Sequence, residues 1–489
     1  MEAKRHTQTT LLIILALAVA LFLLFSARSL ANYLELASLS LSFPYQIDYG
    51  EGPLLDQVMR LSNVEPIYSS DFSTPPYTIS NYPPVFLLIQ VPFAWLFGPA
   101  FWYGRLISLL SAVLAALFLG LTLHALTDDW LASLAGGLLL LAYPYVQFWS
   151  VLNRIDLLAL ALSWAGIFTA VRWKDRRWGI PLAAAFLVGS IFTRQSYAAA
   201  GPFAVFIWLL AERRMKAAVR LALFTGGASL VLFLLMNIFT GGGFYMNIVV
   251  ANVNPFFWEI VKNYAETFAR NSIALLILAG VFFFLERFFK HTRSWPLALA
   301  YGTAAAAVAT TVGKDGSNVN YMLEVTAGLC FAAGASMAWL GRGVWMRLAV
   351  LAVLVFQLNT LHAWTLSDFN GRITEKTDYE TNMARLAQIV SVAGGSVLID
   401  EEMGLVPLAG KRLYFQPFEY KMLADGGLWD ETLLVREIRD KKFSLIVQYD
   451  SVYWPSLVSR WTPRVLSAVR SNYRIEMTIG SNHIYRPRE

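Results

Sequence analysis

Residues 10–31 read TLLIILALAVALFLLFSARSLA, an apolar run long enough to cross a lipid bilayer as one helix. The basic stretch Lys4-Arg5-His6 precedes it, and no small-residue cleavage pattern outweighs its length. The run is therefore predicted to be an anchor with its N-terminus in the cytoplasm. Further apolar runs lie at 103–126, 130–149, 155–172, 179–194, 197–211, 217–240, 272–289, 295–312, 320–340 and 344–364. The sequence predicts an all-α polytopic membrane protein with about eleven transmembrane helices.

The composition agrees with this fold class. Of the 489 residues, 57% are hydrophobic and 15% charged, whereas soluble domains average roughly 45–50% apolar and about 25% charged residues. The net charge of +6 comes from short Lys and Arg clusters between apolar runs, which is typical of cytoplasmic loops beside anionic lipid and not of a nucleic-acid-binding surface. The single cysteine, Cys330, excludes a disulfide framework.

The basic clusters also predict the topology. The clusters at 172–177, 213–216, 287–293 and 342–347 all fall in the cytoplasm if about eleven spans are counted from a cytoplasmic N-terminus. This count requires that the run 83–98 does not cross. Because that run is short and opens with Pro83-Pro84, we expect it to lie along the outer face. Residues 1–366 then form a membrane domain of the plasma (inner) membrane, with a first outer loop at 32–102.

Residues 367–489 change in composition and alternate short apolar runs with charged ones. The segments 396–400 and 443–449 are predicted to be strands, and 378–392, 430–439 and 456–471 to be helices. We therefore expect a small extracytoplasmic α/β domain at the C-terminus. Its acidic motif Asp400-Glu401-Glu402 is interpreted as solvated surface charge.

Ionisable side chains gather at the predicted outer ends of the spans, although such groups are costly in or beside a bilayer. They come from five separated segments and are Asp48, Glu51, Arg105, Arg154, Asp156, Arg194, Lys314, Asp315 and Glu324. Their common depth predicts a shared cavity at the outer surface.

The residue types in this predicted cavity indicate group transfer from a phosphate. Arg105, Arg194 and Lys314 suit an anionic group, and phosphate is the common one at a membrane surface. Asp48 and Glu51 could act as a general base for an acceptor hydroxyl or amine. They could also hold a divalent cation, Mg²⁺ or Mn²⁺, against the phosphate. A base on one side and cations on the other fit transfer from a lipid-linked phosphate donor.

The order of these motifs resembles that of the GT-C glycosyltransferases, in particular the protein O-mannosyltransferase and aminoarabinose transferase branch and the bacterial RgtA/B/C/D-like group. The resemblance covers about residues 10–365. In chain order the similar elements are Asp48-Tyr49-Gly50-Glu51-Gly52, Asn81-Tyr82-Pro83-Pro84, Gly104-Arg105-Leu106, Asp156, Thr193-Arg194-Gln195 and Asn320-Tyr321-Met322-Leu323-Glu324. Aminoarabinose transferases usually carry Lys at the position of Tyr82 and Arg at that of Asn320, so this chain departs from them there.

The resemblance implies a polyprenyl-phosphate sugar donor, an extracytoplasmic acceptor (lipid, glycan or protein) and an inverting single displacement. It implies that Asp48 is the catalytic base and that Arg105, Arg194 and Lys314 bind the donor phosphate. The further catalytic candidates are Glu51 and Asp156, and the candidate substrate contacts are Tyr82, Asn320, Tyr321 and Glu324.

Structural explanations compete with these roles. Arg105 could extend its guanidinium to lipid headgroups, Asp156 could simply pair with Arg154, and Asp56 is interpreted as surface. Glu324 lies one turn inside a span and needs a polar partner, for which Lys314 and Asn320 are nearest in sequence.

The sequence fits other classes of membrane protein less well than a glycosyltransferase. A transporter or flippase of lipid-linked saccharides is disfavoured, because few ionisable residues lie deep in the spans and no inverted repeat is seen. A polymerase or ligase of surface polysaccharide is disfavoured because the acidic motif lies in the first outer loop and not in a large later one. A non-catalytic scaffold would leave the clustered charges unexplained.

Overall fold

The computed structural model describes residues 2–288, 292–340, 343–368, 376–450 and 460–489. The membrane domain contains α1 (Glu2–Ser42), α2 (Glu51–Ser62), α3 (Val85–Phe97), α4 (Trp102–Thr127), α5 (Trp130–Ala142), α6 (Pro144–Ser150), α7 (Asp156–Trp173), α8 (Gly179–Ile191), α9 (Ala200–Ala211), α10 (Met215–Phe239), α11 (Trp258–Asn271), α12 (Ile273–Phe288), α13 (Trp295–Ala309), α14 (Leu323–Leu340) and α15 (Val344–Asp368). Short helical turns lie at Gln195–Ala198, Gly243–Tyr245, Met246–Val250, Thr310–Gly313 and Val319–Met322.

The protein is a polytopic helical membrane protein, as the sequence predicts. In the described part of the chain, seven helices are long and apolar enough to cross a bilayer, and they include α1, α4, α7, α10 and α15. Two bent pairs, α5 with α6 at 60° and α11 with α12 at 85°, bring the number of spans to as many as nine. The predicted runs 179–194 and 197–211 form shorter apolar helices, which are below the usual length of a full span.

Close helix packing through small residues organises the membrane domain. A Cβ added to Gly334 of α14 would lie 2.8 Å from the carbonyl oxygen of Ala132 and 3.4 Å from the Cα of Gly136, both on α5. Small residues allow membrane helices to approach in this way, and the close approach supplies van der Waals contact where no hydrophobic driving force acts between helices.

The C-terminal domain contains α16 (Lys376–Val392), β1 (Val397–Ile399), a turn at Leu405–Leu408, α17 (Pro417–Asp425), α18 (Thr432–Arg439), β2 (Leu445–Tyr449), α19 (Pro463–Asn472), β3 (Tyr473–Ile479) and β4 (Asn482–Pro487). The sheet order is β1-β2-β4-β3, with β1 and β2 parallel and the other pairs antiparallel. The predicted strands 396–400 and 443–449 correspond to β1 and β2. The β3–β4 hairpin and α17 were not predicted.

Two of the sequence predictions involve or adjoin residues that lie outside the described part of the chain. Residues 456–459 of the predicted helix 456–471 lie outside the described residues. The observed helix α19 begins at Pro463, and its N-cap is Thr462, whose side chain accepts a hydrogen bond from the Val465 amide. The predicted domain boundary at 366–367 falls in the last turn of α15, next to residues 369–375, which also lie outside.

Backbone pairing attaches the C-terminal domain to the loop at 32–102. The amide of Tyr77 donates to the carbonyl of Tyr414 at 2.7 Å, and the amide of Gln416 donates to the carbonyl of Tyr77 at 2.9 Å. The side chain of Gln416 accepts a further hydrogen bond from the Ile79 amide at 2.7 Å. These bonds fix the position of the segment that enters α17.

Helix α2 lies directly against the C-terminal domain. Asp56 was interpreted as surface, but it is 3% exposed and accepts a hydrogen bond of 2.9 Å from the Leu413 amide. A Cβ on Gly52 would lie 2.5 Å from the backbone nitrogen of Gly404. The surface interpretation was therefore wrong, because the face of α2 that carries Asp56 is covered by a domain more than 300 residues away in sequence.

Candidate active site

A cavity of about 1070 Å³ lies where the membrane domain meets the C-terminal domain. The candidate residues that line it are Asp48, Tyr82, Arg194, Lys314 and Tyr321. The other candidates are buried and are not part of its lining: Glu51, Arg105, Asp156, Asn320 and Glu324. The structure thus brings together residues from distant segments, as the common depth of their charges predicts, but divides them into a lining set and a buried set.

Asp48 forms an ion pair in the cavity wall with Arg154. The Asp48 carboxylate lies 3.3 Å from Nη1 of Arg154 and accepts a 2.8 Å hydrogen bond from the Gly50 amide. The guanidinium lies so close to the backbone that a Cβ on Gly50 would overlap Nη1. Arg154 is one of the charged residues that the sequence places at the outer ends of the spans, but no role in the site was predicted for it.

Arg105 is fully buried and all of its donors are used. Its Nε and Nη2 donate to the two carboxylate oxygens of Glu51, each at 2.9 Å. Its Nη1 donates to the carbonyls of Ser40 and Phe43, and Nη2 also donates to the carbonyl of Tyr45. Because no N–H remains for a ligand, this geometry favours a positioning role for Arg105 over contact with a phosphate.

Glu51 is equally saturated. Beyond Arg105, its carboxylate accepts hydrogen bonds from the amides of Ile47 and Asn153, each at 2.6 Å, and from the amide of Asp48 at 3.3 Å. Burial by itself would raise the pKa of Glu51, but Arg105 and these amides together hold that pKa below its ordinary value. Glu51 therefore binds the backbone amides of the segment that carries Asp48. This geometry favours a positioning role for Glu51 over a catalytic one.

Asp156 is paired with Arg194 and not with the arginine two residues before it. The Asp156 carboxylate forms an ion pair with Nη1 of Arg194 and accepts hydrogen bonds from Asn320 Nδ2 at 3.2 Å and from Trp149 Nε1. Asp156 is 1% exposed. The guanidinium of Arg194 lies 4.5 Å above the ring of Tyr321. Asp156 and Asn320 thus hold in place a cation that lines the cavity.

Lys314 supplies a second cation to the cavity. Its Nζ donates to Oδ1 of Asn252 at 3.3 Å, and among the described residues it has no carboxylate partner. Its loop is held by the 251–257 segment, because the Phe257 amide donates to the carbonyl of Gly313 and the Asp315 amide donates to that of Pro255. An ammonium group that is fixed but not neutralised suits an anionic ligand.

Glu324 does not have the partners that the sequence suggested. It is 3% exposed, and neither carboxylate oxygen has a hydrogen-bond partner in the described ranges. Asn320 donates to Asp156 instead, and Lys314 to Asn252.

The residues do not form the two-carboxylate cation site considered from the sequence. Both oxygens of Glu51 are taken by Arg105 and backbone amides, and Asp48 pairs with Arg154. Within the part of the chain that the structure describes, no group of three or more His, Cys, Asp and Glu side chains is placed to hold a metal ion.

The C-terminal domain contributes buried charges that were predicted to be solvated. The motif Asp400-Glu401-Glu402 is buried, with 1%, 3% and 0% exposure. Nη1 of Arg460 lies 3.3 Å from Oδ1 of Asp400 and also contacts Glu401, while its guanidinium lies 4.0 Å above the ring of Tyr49. Burial raises the pKa of Asp400 to about 6, against the opposing effect of Arg460. The solvated interpretation was wrong because the partner lies 60 residues further along the chain.

Comparisons with known proteins bear on the fold of the chain. No family model matches the chain, and no curated protein matches it in sequence. Among solved structures it is similar to ArnT from Cupriavidus metallidurans bound to undecaprenyl phosphate, with a TM-score of 0.67 and 13% identity over 94% of this chain and 97% of that one. The apo state of the same protein gives a TM-score of 0.63 at 14% identity, again over 94% and 97% of the two chains.

The oligosaccharyltransferase of Archaeoglobus fulgidus in its apo form is also similar, with a TM-score of 0.51 and 12% identity over 94% of this chain and 74% of that one. ArnT and this oligosaccharyltransferase both have the GT-C fold. At these identities the likeness shows the fold. The chain is thus a multi-pass membrane protein with a GT-C fold, and its membrane domain and C-terminal domain are both included in the matched region.

Proposed function

We propose that the chain is a membrane glycosyltransferase that moves a sugar from a polyprenyl-phosphate donor to an extracytoplasmic lipid, glycan or protein acceptor. The observation that carries this proposal is that the carboxylate of Asp48 and the cations of Arg194 and Lys314 line one cavity. A base and a cationic phosphate site are the two parts that such a transfer needs. The undecaprenyl phosphate bound by ArnT, which has the same fold, supports a lipid phosphate as the carrier.

The reaction is a single displacement. Asp48 takes the proton from the acceptor hydroxyl or amine as the acceptor atom bonds to the anomeric carbon of the sugar. The bond between that carbon and the phosphate oxygen breaks at the same time, and the bonding electrons leave with the lipid phosphate. Arg194 and Lys314 stabilise the negative charge that develops on this leaving group. Because attack and departure occur on opposite faces of one carbon, the configuration at that carbon inverts.

The buried residues support this chemistry from outside the cavity. Glu51, held by Arg105, fixes the backbone amides of Ile47 and Asp48. Asp156 fixes Arg194. Tyr82 and Tyr321 line the cavity and are proposed as substrate contacts.

The same proposal sets the orientation of the protein. The N-terminus would lie in the cytoplasm and the C-terminal domain outside the plasma (inner) membrane, so that the cavity opens toward extracytoplasmic acceptors. The basic clusters between the spans support this orientation.

The test compares wild type with Asp48→Asn in lipid nanodiscs. Each protein receives a panel of radiolabelled polyprenyl-phosphate sugars with membrane extract as acceptor, and release of free polyprenyl phosphate is measured. We expect wild type to release lipid phosphate from at least one donor, and Asp48→Asn to lower the rate at least about 100-fold, as expected for loss of a positioned base. The matched control is Asp71→Asn, an exposed carboxylate in the same loop, which should act as wild type.

Two outcomes would contradict the proposal. Unchanged release by a folded Asp48→Asn protein would remove Asp48 from the chemistry. Donor binding by wild type without release from any donor would instead favour a transporter or flippase of lipid-linked saccharides.

A further inference from the structure

The first turn of α17 bridges the cavity. Phe418 packs on Gly316, because a Cβ added to that glycine would lie 2.6 Å from Cζ of the Phe418 ring. The next residue, Glu419, accepts a 3.2 Å hydrogen bond from the hydroxyl of Tyr49. Gly316 is two residues after the lysine of the proposed phosphate site, and Tyr49 is the neighbour of the proposed base. Adjacent side chains of the C-terminal domain therefore contact residues next to the proposed base on one side and next to the proposed phosphate site on the other.

The C-terminal domain forms one wall of the cavity, and the charge of this wall does not suit a phosphate. Arg460 is the one cation among the described residues of the C-terminal domain that line the cavity, and it is neutralised by Asp400 and Glu401. Glu419 adds a further carboxylate, and its burial raises its pKa above the ordinary value. A second anion placed here would meet more negative than positive groups.

The chemistry of the wall suits an uncharged ligand with several hydroxyls. The carboxylate oxygens of Glu419 can accept hydrogen bonds from hydroxyl groups. The two contacts of Arg460 with carboxylates both use Nη1, so in the described part of the chain Nε and Nη2 make no hydrogen bond and can donate as a planar fork. The rings of Phe418 and Tyr449 line the same cavity and offer apolar faces.

We propose that Phe418, Glu419 and Arg460 form a sugar-binding wall, in which the carboxylate and guanidinium bind the hydroxyls of a saccharide and the aromatic ring packs on its apolar face. The saccharide is either the sugar of the donor or a glycan acceptor. The inference rests on the proposed function for its position, because transfer requires a sugar between the base and the lipid phosphate. Binding itself does not depend on transfer.

The test measures binding on the full chain in lipid nanodiscs by saturation-transfer difference NMR. The probes are free glucose, galactose, mannose, N-acetylglucosamine and arabinose. We expect saturation transfer to at least one sugar in wild type and at least a fivefold weaker affinity in Glu419→Gln, about 1 kcal/mol. The matched control is Glu476→Gln, which removes a glutamate of the same domain whose ion pair with Arg486 is exposed and should bind as wild type does.

A second variant keeps the test decisive if Glu419→Gln does not fold. Phe418→Leu preserves apolar packing on Gly316 but removes the aromatic face, and it should also weaken binding. Absence of saturation transfer from every sugar in wild type, or equal signals in wild type and both variants, would overturn the proposal.

Kinetics then separate the two sources of the sugar. If the wall binds the donor's sugar, Glu419→Gln should raise the KM for the lipid-linked donor about fivefold or more and leave the dependence on acceptor unchanged. If it binds a glycan acceptor, the reverse should hold. Asp48→Asn should lose transfer yet bind free sugar as wild type does. Sugar binding without transfer in wild type would therefore contradict the proposed function but still support the proposed sugar-binding wall.

Discussion

The guanidinium of Arg105 meets the carboxylate of Glu51 through two hydrogen bonds of 2.9 Å, and neither side chain is exposed. The pair joins three elements, because Arg105 belongs to α4, Glu51 begins α2, and the carbonyls that Arg105 binds lie at and just beyond the end of α1. Since Glu51 also binds the amide of Asp48, a buried ion pair sets the position of the proposed base.

Removing one partner of this ion pair should lower the free energy of unfolding of the protein. Glu51→Gln leaves the Arg105 charge buried without its counter-charge, so we expect a loss of about 3–5 kcal/mol in the free energy of unfolding. The measurement is the thermal unfolding midpoint in nanodiscs. The double variant Glu51→Gln/Arg105→Met should be less destabilised than Glu51→Gln alone. A Glu51→Gln protein as stable as wild type but inactive would instead give Glu51 a catalytic role.

The pH dependence of stability should carry a contribution from Asp56. Burial raises the pKa of Asp56 to about 6 from an ordinary value of 3.8, so the folded state favours the protonated carboxyl. As pH rises from about 4 to about 6, the unfolded chain loses this proton before the folded chain does. The free energy of unfolding should therefore fall by about 3 kcal/mol across that pH window and then remain constant.

Asp56→Asn should remove this fall. The measurement is the difference in unfolding midpoint between wild type and Asp56→Asn from about pH 4 to about pH 7.5, since other groups titrate equally in both proteins. The wild type should lose stability relative to the variant as pH rises. Parallel curves would mean that Asp56 does not change its pKa on folding.

The sequence was informative wherever the signal is local. Apolar runs long enough to span a bilayer predict helices directly, and the cost of charges near lipid singled out Asp48, Arg194 and Lys314, which do line one cavity. Pairing between distant segments was not predictable. Neither the approach of Arg154 to Asp48 nor that of Arg460 to Asp400 has a signature in either segment alone.

The strands of the C-terminal domain were only partly predicted. Strands β1 and β2 are buried and apolar, so their composition predicts them. Strand β3 alternates apolar residues (Tyr473, Ile475, Met477 and Ile479) with polar ones, which is a local strand signal that the prediction missed, although its five central residues are exposed. It is held by pairing with β4, which a single sequence does not display.

Lys314 allows a cleaner test of phosphate binding than Arg194, because no buried carboxylate depends on it among the described residues. Lys314→Gln should weaken binding of undecaprenyl phosphate about 10- to 100-fold, since a hydrogen bond to a charged group contributes about 1.5–3 kcal/mol. The measurement is lipid binding by native mass spectrometry at several lipid concentrations. Lys262→Gln is the matched control, because Lys262 is exposed on α11 with Glu266 at 3.7 Å. Equal affinity in both variants would remove Lys314 from the phosphate site.

The contact of Arg154 with the backbone of Gly50 predicts that a single methyl group should disturb the proposed base. A Cβ at position 50 would overlap Nη1 of Arg154 and lie 3.2 Å from Oδ2 of Asp48. The guanidinium ends a flexible side chain, so it can move away at a modest cost in stability, but it then no longer pairs with Asp48. We expect Gly50→Ala to lower kcat for lipid-phosphate release about 10-fold or more while the donor KM changes little, as for a misplaced catalytic group. Gly226→Ala is the control, because nothing lies within 4 Å of a Cβ there, and it should keep wild-type rates. A Gly50→Ala enzyme with an unchanged kcat would show that the Asp48–Arg154 pair is not needed to hold the base.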